Sequence, residues 1–467
     1  MQSVDGAGSC KPGFARFALI QRRASFRRKF QTAYNPLTAD VVKDIVMQLK
    51  PWHVIAFLVA VSTALVAAGL PAGTRLGTAA ASLASGVSAL SLMAGAAVLG
   101  ARWKFVESAF GGLDRVYVAH KWMGIWALGL ASFHLLFKAG MPEWDTAVIL
   151  TLPAGWTRFV RQFSFIGLMF IVLLALNRNI PYGTWRWWHK LSGPLFVVVV
   201  LHWLSFKQPL ALASPAGMWL AVLSALGVAG AFYKLLLYPL WSPNAEYQVV
   251  QVDRGGAAMH LQLEPVHKGI DFWPGQFGFL RMLEQGLREP HPFTIASGSG
   301  GTGRVGFVIR ELGDFTRKLI TEAQPGMRAE IYAPFGRFAR RPEAPREAWI
   351  AGGVGITPFI AWLPDADAGG FDKVTLFYCY TTGREFPAAD VIENLARERG
   401  ATVVRVAGGP SDPALVEGLD ALVREADPRN IDVAFCGPPG LLAQVRRQLR
   451  AHGVPDANLR YEVFQFR

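Results

Sequence analysis

Hydrophobic patterning divides the chain near residue 240, with long unbroken apolar runs before it and short alternating runs after it. Apolar stretches near residues 53–70, 77–100, 117–138, 160–177, 189–207 and 217–238 each approach the roughly 20 residues a helix needs to cross a hydrocarbon core. They predict six membrane-spanning helices. The second stretch is rich in Ala, Gly and Ser, a composition that favours close helix packing. Basic residues fall before or between alternate stretches: Arg22, Arg23, Arg27, Arg28 and Lys29, then Arg102, Lys104 and Arg115, then Arg178, Arg186 and Lys190. The excess of Lys and Arg on cytoplasmic loops orients those segments inward, so spans three and five both run outward.

Past Pro239, charged residues and turn dipeptides appear, and β-branched runs such as Tyr247 to Val252 and Val305 to Ile309 read as strands. Residues 243 to about 340 predict a small antiparallel barrel. From Glu347 onward, strands at Ala348–Ile350, Val374–Tyr378, Thr402–Val406 and Asp432–Cys436 alternate with helical patterns, the mark of a parallel α/β sheet. The expected division is a basic arm (1–50), a six-helix transmembrane bundle (51–240), an antiparallel β-barrel (243–342) and an α/β domain (343–467).

Composition sharpens this picture at three points. The chain has 467 residues, 52% of them hydrophobic, and a formal net charge of +13. Much of that charge lies on loops flanking the spans, so inward-facing membrane loops explain it more simply than nucleic-acid binding. Only Cys10, Cys379 and Cys436 are present, too few for an all-cysteine iron-sulfur cluster and no disulfide framework, which fits a reducing cytoplasm. The N-terminal arm lacks the apolar core and cleavage site of a signal peptide, and its scattered aromatics allow an interfacial amphipathic helix.

Four histidines lie inside the apolar half. His120 and His134 are 14 residues apart on one span, about 21 Å along a helix, and His189 and His202 are 13 apart on another, roughly 20 Å. Both separations fit inside a core of about 30 Å, so one histidine of each span lies near the inner surface and one near the outer. With both spans running outward, His120 faces His189 and His134 faces His202. Neutral imidazole is a good iron ligand, and ionisable groups inside a membrane are costly and functional. Two metal centres stacked across the bilayer are the expectation; a proton relay or ordinary helix histidines are the alternatives. Thirteen residues of ideal helix would put His202 and His189 on different faces, so Gly193-Pro194 is expected to kink the helix and re-phase it.

The second half carries four segments with chemistry. His291-Pro292-Phe293-Thr294-Ile295-Ala296-Ser297 offers an aromatic surface and hydroxyls suited to a flavin and its pyrophosphate; a strand start with a half-buried aromatic would read the same way. In the run from Arg310 to Thr316, Gly313 permits close backbone approach and Thr316 caps a helix whose free amides suit phosphate. Gly352-Gly353-Val354-Gly355-Ile356-Thr357-Pro358 follows an apolar strand and opens a helix, where a dinucleotide pyrophosphate binds; it lacks the third glycine of the dinucleotide fingerprint, so a plain tight turn stays open. Cys436-Gly437-Pro438-Pro439 ends a strand at the sheet's carboxyl edge, its thiol either beside a nicotinamide or inertly buried. The ending from Tyr461 to Arg467 alternates as a last strand with an aromatic for a flavin face or for the core.

Taken in order, these segments resemble the ferric reductase and NADPH oxidase superfamily, over roughly residues 50 to 467. The resemblance implies a six-helix domain with two haem b groups on His120, His134, His189 and His202, fused to a ferredoxin-reductase-like FAD and NAD(P) module. It implies FAD contacts from His291, Pro292, Phe293, Thr294 and Ser297, with Arg310, Gly313 and Thr316 on the pyrophosphate side. Gly352, Gly353, Gly355, Thr357 and Pro358 would hold NADPH or NADH, with Thr294, Cys436 and Gly437 near hydride transfer. Phe464 would lie against the flavin, with Phe466 as the alternative, and Arg384 is the candidate for a 2′-phosphate. Electrons would then pass from NAD(P)H through FAD, the inner haem and the outer haem. Ferric chelates or oxygen at the outer face would accept them, with Lys138 either attracting the acceptor or snorkelling to the interface. Trp126 or Phe196 would relay electrons between the haems.

The expected setting is the inner cell membrane, with the N-terminus and the reductase module in the cytoplasm, and no nucleic-acid partner. Three other readings remain: a transporter or proton channel fused to a reductase module, electron delivery to a periplasmic partner or quinone, and a reductase merely anchored by its helices.

Overall fold

The computed structural model describes residues 49–142, 144–255, 258–298, 303–364, 370–383, 385–386 and 389–462. The chain separates into two units, Met1–Gln48 and Leu49–Arg467. All described residues belong to the second, and the basic arm before Leu49 lies outside them.

The helical half contains α1 (Pro51–Gly69), α2 (Thr78–Gly100), α3 (Lys104–Phe110), α4 (Leu113–Leu136), α5 (Ala154–Leu176), α6 (Tyr182–His189), α7 (Ser192–Ser205) and α8 (Pro215–Phe232). A π-helical turn, Tyr233–Leu237, continues α8 into α9 (Tyr238–Trp241). Four helical segments are long and apolar enough to cross a membrane: α1, α2, α5 and the continuous run Pro215–Trp241. Among the six predicted spans, α4 has the length but carries Asp114, Arg115 and Lys121. Helix α7 has 14 residues, about 21 Å, short of a full core.

Helix α2 is the hub of the bundle, 56% buried against 22–28% for the other three long apolar segments. Its small residues explain why: a Cβ on Gly95 would come within 3.0 Å of Leu58 and 3.2 Å of Met123. Ser91 also accepts from the Ser62 hydroxyl at 2.9 Å, and Ser62 in turn accepts from Trp219 at 3.1 Å. The Ala-Gly-Ser composition of the second span is the mark of a helix surrounded by other helices.

One predicted detail is corrected. His189 and His202 do not share a helix kinked at Gly193-Pro194. The break falls at Lys190–Leu191, between α6 and α7, and Pro194 sits in the first turn of α7. There its missing N–H costs nothing. A two-residue turn re-phases the pair.

The next layer is a six-stranded antiparallel sheet of β1 (Asn244–Gly255), β2 (Ala258–Pro265), β3 (Phe277–Met282), β4 (His291–Thr294), β5 (Val305–Arg310) and β6 (Arg328–Phe335). Its order is β4-β3-β6-β1-β2-β5, and a bridge between Ile295 and Phe307 brings the two edges together, so the barrel is nearly closed. Inward residues such as Met259, Leu261, Leu263 and Phe307 form its core. Helix α10 (Asp314–Glu322) follows β5.

The last layer is a five-stranded parallel sheet, β11-β10-β7-β8-β9, built from β7 (Arg346–Gly352), β8 (Val374–Cys379), β9 (Thr402–Val406), β10 (Ile431–Cys436) and β11 (Leu459–Glu462). Every residue of β10 is buried, as expected of a parallel strand covered on both faces. Helices α11 (Thr357–Trp362), α12 (Ala389–Glu398), α13 (Pro413–Glu425) and α14 (Pro439–Ala451) alternate with these strands.

Candidate functional site

Helix α4 presents His120 and His134 toward α6 and α7. The rings of His120 and His189 face each other with centroids 5.9 Å apart and planes inclined at 71°. His202 lies within electrostatic reach of His134. The structure therefore sets His120 opposite His189.

The two α4 histidines are held alike. His120 Nδ1 lies 2.8 Å from the Ala96 carbonyl, and His134 Nδ1 lies 2.8 Å from the Ser82 carbonyl. A carbonyl only accepts, so each Nδ1 is the donor, which points each Nε2 away from α2 as the nitrogen available to a metal. This second contact is the kind that orients a metal-bound imidazole. Four residues after each carbonyl stands a glycine. A Cβ at Gly86 would come within 2.8 Å of the His134 ring, and one at Gly100 within 3.7 Å of His120. The opposing histidines differ: the Nδ1 atoms of His189 and His202 are buried without a hydrogen-bond partner. Two anchored imidazoles facing two buried, unengaged ones suit a bis-histidine metal group at each level. Among the described residues, no group of three or more His, Cys, Asp or Glu side chains converges as a metal cage. Of the proposed relays, Phe196 is 2% exposed in the interior, whereas Trp126 is 47% exposed on the outer surface of the bundle.

The strip expected to meet a flavin lies on β4, at the edge of the barrel beside β3, with Thr294 buried and His291, Pro292 and Phe293 half-buried. His291 stacks on Phe315 at 3.8 Å and meets Tyr182 of α6 at 4.8 Å, so this strand touches the helical bundle. Burial pushes the His291 imidazole below its usual range, against a hydrogen bond that it donates to Glu289 and that favours the charged form. Ser297 accepts the Gly306 amide at 3.1 Å, pinning the strand's exit to β5. Thr316 turns back on its own helix cap, where its hydroxyl accepts from Leu312 N at 2.8 Å and Gly313 N at 3.1 Å. The expected cap is thus corrected: Gly313 is the N-cap, and Thr316, the third residue of the helix, engages two amides that precede it.

At the sheet's carboxyl edge, the turn after β7 packs against the turn after β10. A Cβ on Gly355 would fall 2.1 Å from the Cys436 carbonyl oxygen, and one on Gly352 would fall 2.6 Å from Pro438. These glycines are required by the contact of two turns, whatever binds above them. Gly353 has φ +57, and an Arg310 guanidinium nitrogen lies 3.2 Å from the place of its absent Cβ. Arg310 therefore reaches from the barrel to this turn. Thr357 donates to the Val354 carbonyl at 2.6 Å, and Pro358 occupies the first turn of α11. Cys436 is fully buried, and burial together with the nearby Glu462 carboxyl pushes its thiol far above the usual range. It is a neutral thiol inside the packing between β7 and β11. Arg384, Phe464 and Phe466 lie outside the described residues.

Sequence reasoning missed the junction between bundle and reductase. Arg102, Lys104 and Arg186 read as loop charges that set orientation. In the structure Glu107 of α3 accepts the Gly336 amide at 2.7 Å, Arg337 donates to the Ser108 hydroxyl at 2.7 Å, and Lys104 donates to the Pro334 carbonyl. Val106, Phe110, Leu113 and Tyr238 form one apolar cluster with Phe277, Phe279, Tyr332 and Phe335 of the barrel. Glu462 lies close by, its Oε2 buried without a partner. Burial, then Asp114 and Glu107, push its carboxyl well above the ordinary value. The available signal was an acid, Glu107, in a short amphipathic insert between two apolar runs.

Residues 85–204 match the family described as ferric reductase like transmembrane component. The flavohemoprotein of Pseudomonas putida is 30% identical over 199 residues, covering 41% of this chain and 50% of that protein. The 2-halobenzoate 1,2-dioxygenase electron transfer component of Burkholderia cepacia is 25% identical over 229 residues, 46% of this chain and 66% of that protein. Among solved structures, the flavohem-like FAD/NAD binding domain of nitric oxide dioxygenase from Vibrio cholerae aligns at 24% identity and a TM-score of 0.40, covering 47% of this chain and 98% of that one. The chain spans between 50% and 66% of the length of these two curated relatives.

Proposed function

We infer that this chain, which joins a ferric-reductase-like transmembrane component to a C-terminal module of the ferredoxin-reductase type, is an NAD(P)H-dependent oxidoreductase that moves electrons across a membrane. The observation that carries the reading is the facing of His120 and His189 from separate helices, with His120 anchored through Nδ1 and His189 left with an unengaged one. A separation of 5.9 Å between ring centroids accommodates two metal–imidazole bonds of about 2 Å each.

The proposed architecture has six crossings, the two short of the strict criteria being α4 and α7, in an inner cell membrane with both termini in the cytoplasm. Residues 51–240 form the haem-binding bundle, 243–342 the FAD-binding barrel and 343–467 the NAD(P)-binding domain. His120 and His189 would hold the inner haem b, and His134 and His202 the outer one. His291, Pro292, Phe293, Thr294 and Ser297 would line the FAD site, with Phe464 or Phe466 closing it. Gly352, Gly353, Gly355, Thr357, Pro358 and Gly437 would shape the nucleotide site, Arg310 reaching it from the barrel and Arg384 meeting a 2′-phosphate. Bound FAD supplies the conversion of a hydride pair into single electrons, and bis-histidine haem supplies a one-electron relay without an open coordination position. The acceptor at the outer face would be a ferric chelate or oxygen, reduced without ligating iron, near the exposed Lys138.

The test is a reduced-minus-oxidised visible spectrum of the purified chain, with dithionite, NADPH and NADH as separate reductants and H134L as the control. A low-spin haem signal reducible by a nicotinamide nucleotide and diminished in H134L supports the relay. FAD-loaded, well-folded protein without haem would overturn it and return the histidines to a proton relay or to structure.

A further inference from the structure

Six rings form an unbroken column from the barrel to the histidine pair. Phe315 of α10 stacks on His291 at 3.8 Å, and His291 meets Tyr182 of α6 at 4.8 Å. Tyr182 contacts Trp185 at 5.2 Å, and Trp185 stacks on His189 at 5.3 Å with 26° between the planes. His189 then faces His120 at 5.9 Å. Past the first step, every centroid separation lies in the range of directly packed aromatic pairs, about 4.5–7 Å.

Helix α6 aligns the middle of the column. Tyr182, Trp185 and His189 recur at intervals of three and four residues, so they share one face of this short helix. All three are half-buried, whereas Trp187 and Trp188 of the same helix are 59% and 39% exposed. The helix is also seated where the column enters the barrel. A Cβ on Gly183 would collide with the Glu289 carboxylate, which pairs with His291 at 3.4 Å, so glycine at 183 leaves that pair its room. Sequence, helix phase and seating together put Tyr182 and Trp185 between the strand expected to meet a flavin and the inner histidine pair.

We propose that Tyr182 and Trp185 are the passage by which electrons leave the flavin site for the inner histidine pair, with His291 as its entrance and His189 as its exit. The proposal rests on the reading above. For each hydride taken from NAD(P)H, two electrons cross one after the other, each reduces one ferric iron to ferrous, and one proton is released on the inner side. The rings are neither oxidised nor reduced, because the potentials of indole and phenol lie far from that of a flavin. Each electron instead tunnels through packed π orbitals where water or a void would otherwise stand.

The experiment compares the full chain, loaded with FAD and haem, with Y182L, W185L, Y182F and W185F. Stopped-flow absorbance after mixing with NADPH or NADH separates flavin reduction from haem reduction. The leucine variants should reduce flavin at the wild-type rate and haem several-fold more slowly. The phenylalanine variants should recover most of the haem rate, because each keeps a ring in the column. FAD content, haem content by pyridine haemochrome and the midpoint potentials of both groups should match the wild type in all four. Wild-type haem reduction in folded Y182L and W185L would overturn the proposal. Equal slowing in the leucine and phenylalanine variants would overturn it too, assigning the effect to the phenol and indole polar atoms. Slowing accompanied by lost FAD, lost haem or a shifted potential would make the column a packing contact and overturn it as well. If W185L fails to fold, Y182L and Y182F decide alone. Wild-type protein without haem would overturn the underlying reading first, a distinct result.

Discussion

Glu107 accepts the backbone amide of Gly336 at 2.7 Å, joining residues 229 positions apart. Glu107 is 5% exposed and also pairs with Lys104 at 3.1 Å. Replacement by alanine leaves a buried amide and a half-buried ammonium without their partner, at about 1–3 kcal/mol. In E107A, flavin reduction by NAD(P)H should persist while electron arrival at the proposed haems slows, because the bond holds the barrel against the bundle. Stopped-flow absorbance at flavin and haem wavelengths separates the two steps; equal slowing of both would contradict a docking role.

The two histidine-facing glycines should respond unequally to alanine. A Cβ at position 86 would press on the His134 ring at 2.8 Å, whereas at position 100 the nearest ring atom would be 3.7 Å away, an ordinary contact. G86A should therefore weaken or abolish the signal of the proposed outer haem, and G100A should leave both. Pyridine haemochrome quantitation against protein content decides between them.

In the nucleotide module, G355A drives a methyl to 2.1 Å from the Cys436 carbonyl oxygen, a clash with backbone that cannot rotate away. Overpacking of this kind costs typically 1–3 kcal/mol or more. Gly353 meets only the mobile end of Arg310, so G353A carries mainly the strain of φ +57, about 1 kcal/mol. The lower Tm is expected for G355A, with weakened NAD(P)H binding by fluorescence titration.

Glu462 gives a pH dependence of definite sign. Its carboxyl binds a proton more tightly folded than unfolded, so the folded protein loses stability as pH rises above the ordinary value of 4.5. E462Q keeps the shape without the titration. Thermal unfolding at a series of pH values should decline toward neutrality in the wild type and lie flatter, and higher at neutral pH, in E462Q. Parallel curves would refute the assignment.

Periodicity made the strands of the parallel sheet legible, because Val433 and Ala434 belong to a wholly buried strand whose composition says so. The pairing of His120 with His189 was legible from spacing and direction alone. Pro194 misled because its effect depends on its place in a turn, and the helix start that makes it harmless is set by the Lys190–Leu191 break. Gly352 and Gly355 suggested room for a ligand, while their first duty is the approach of another turn, a tertiary fact invisible in a local run. Arg102 and Glu107 were unreadable for the same reason: their partners lie on α4, α9 and the barrel strands, far along the chain.

The carbonyls that hold His120 and His134 belong to Ala96 and Ser82, 14 residues apart on α2, the same interval that separates the histidines on α4. Because the acceptors are main-chain atoms, no side-chain substitution on α2 deletes them. Both imidazoles are instead registered to a single rod. A slip of α2 along its axis would misalign the inner and outer levels in concert, so the two levels share one mechanical setting although they lie about 21 Å apart.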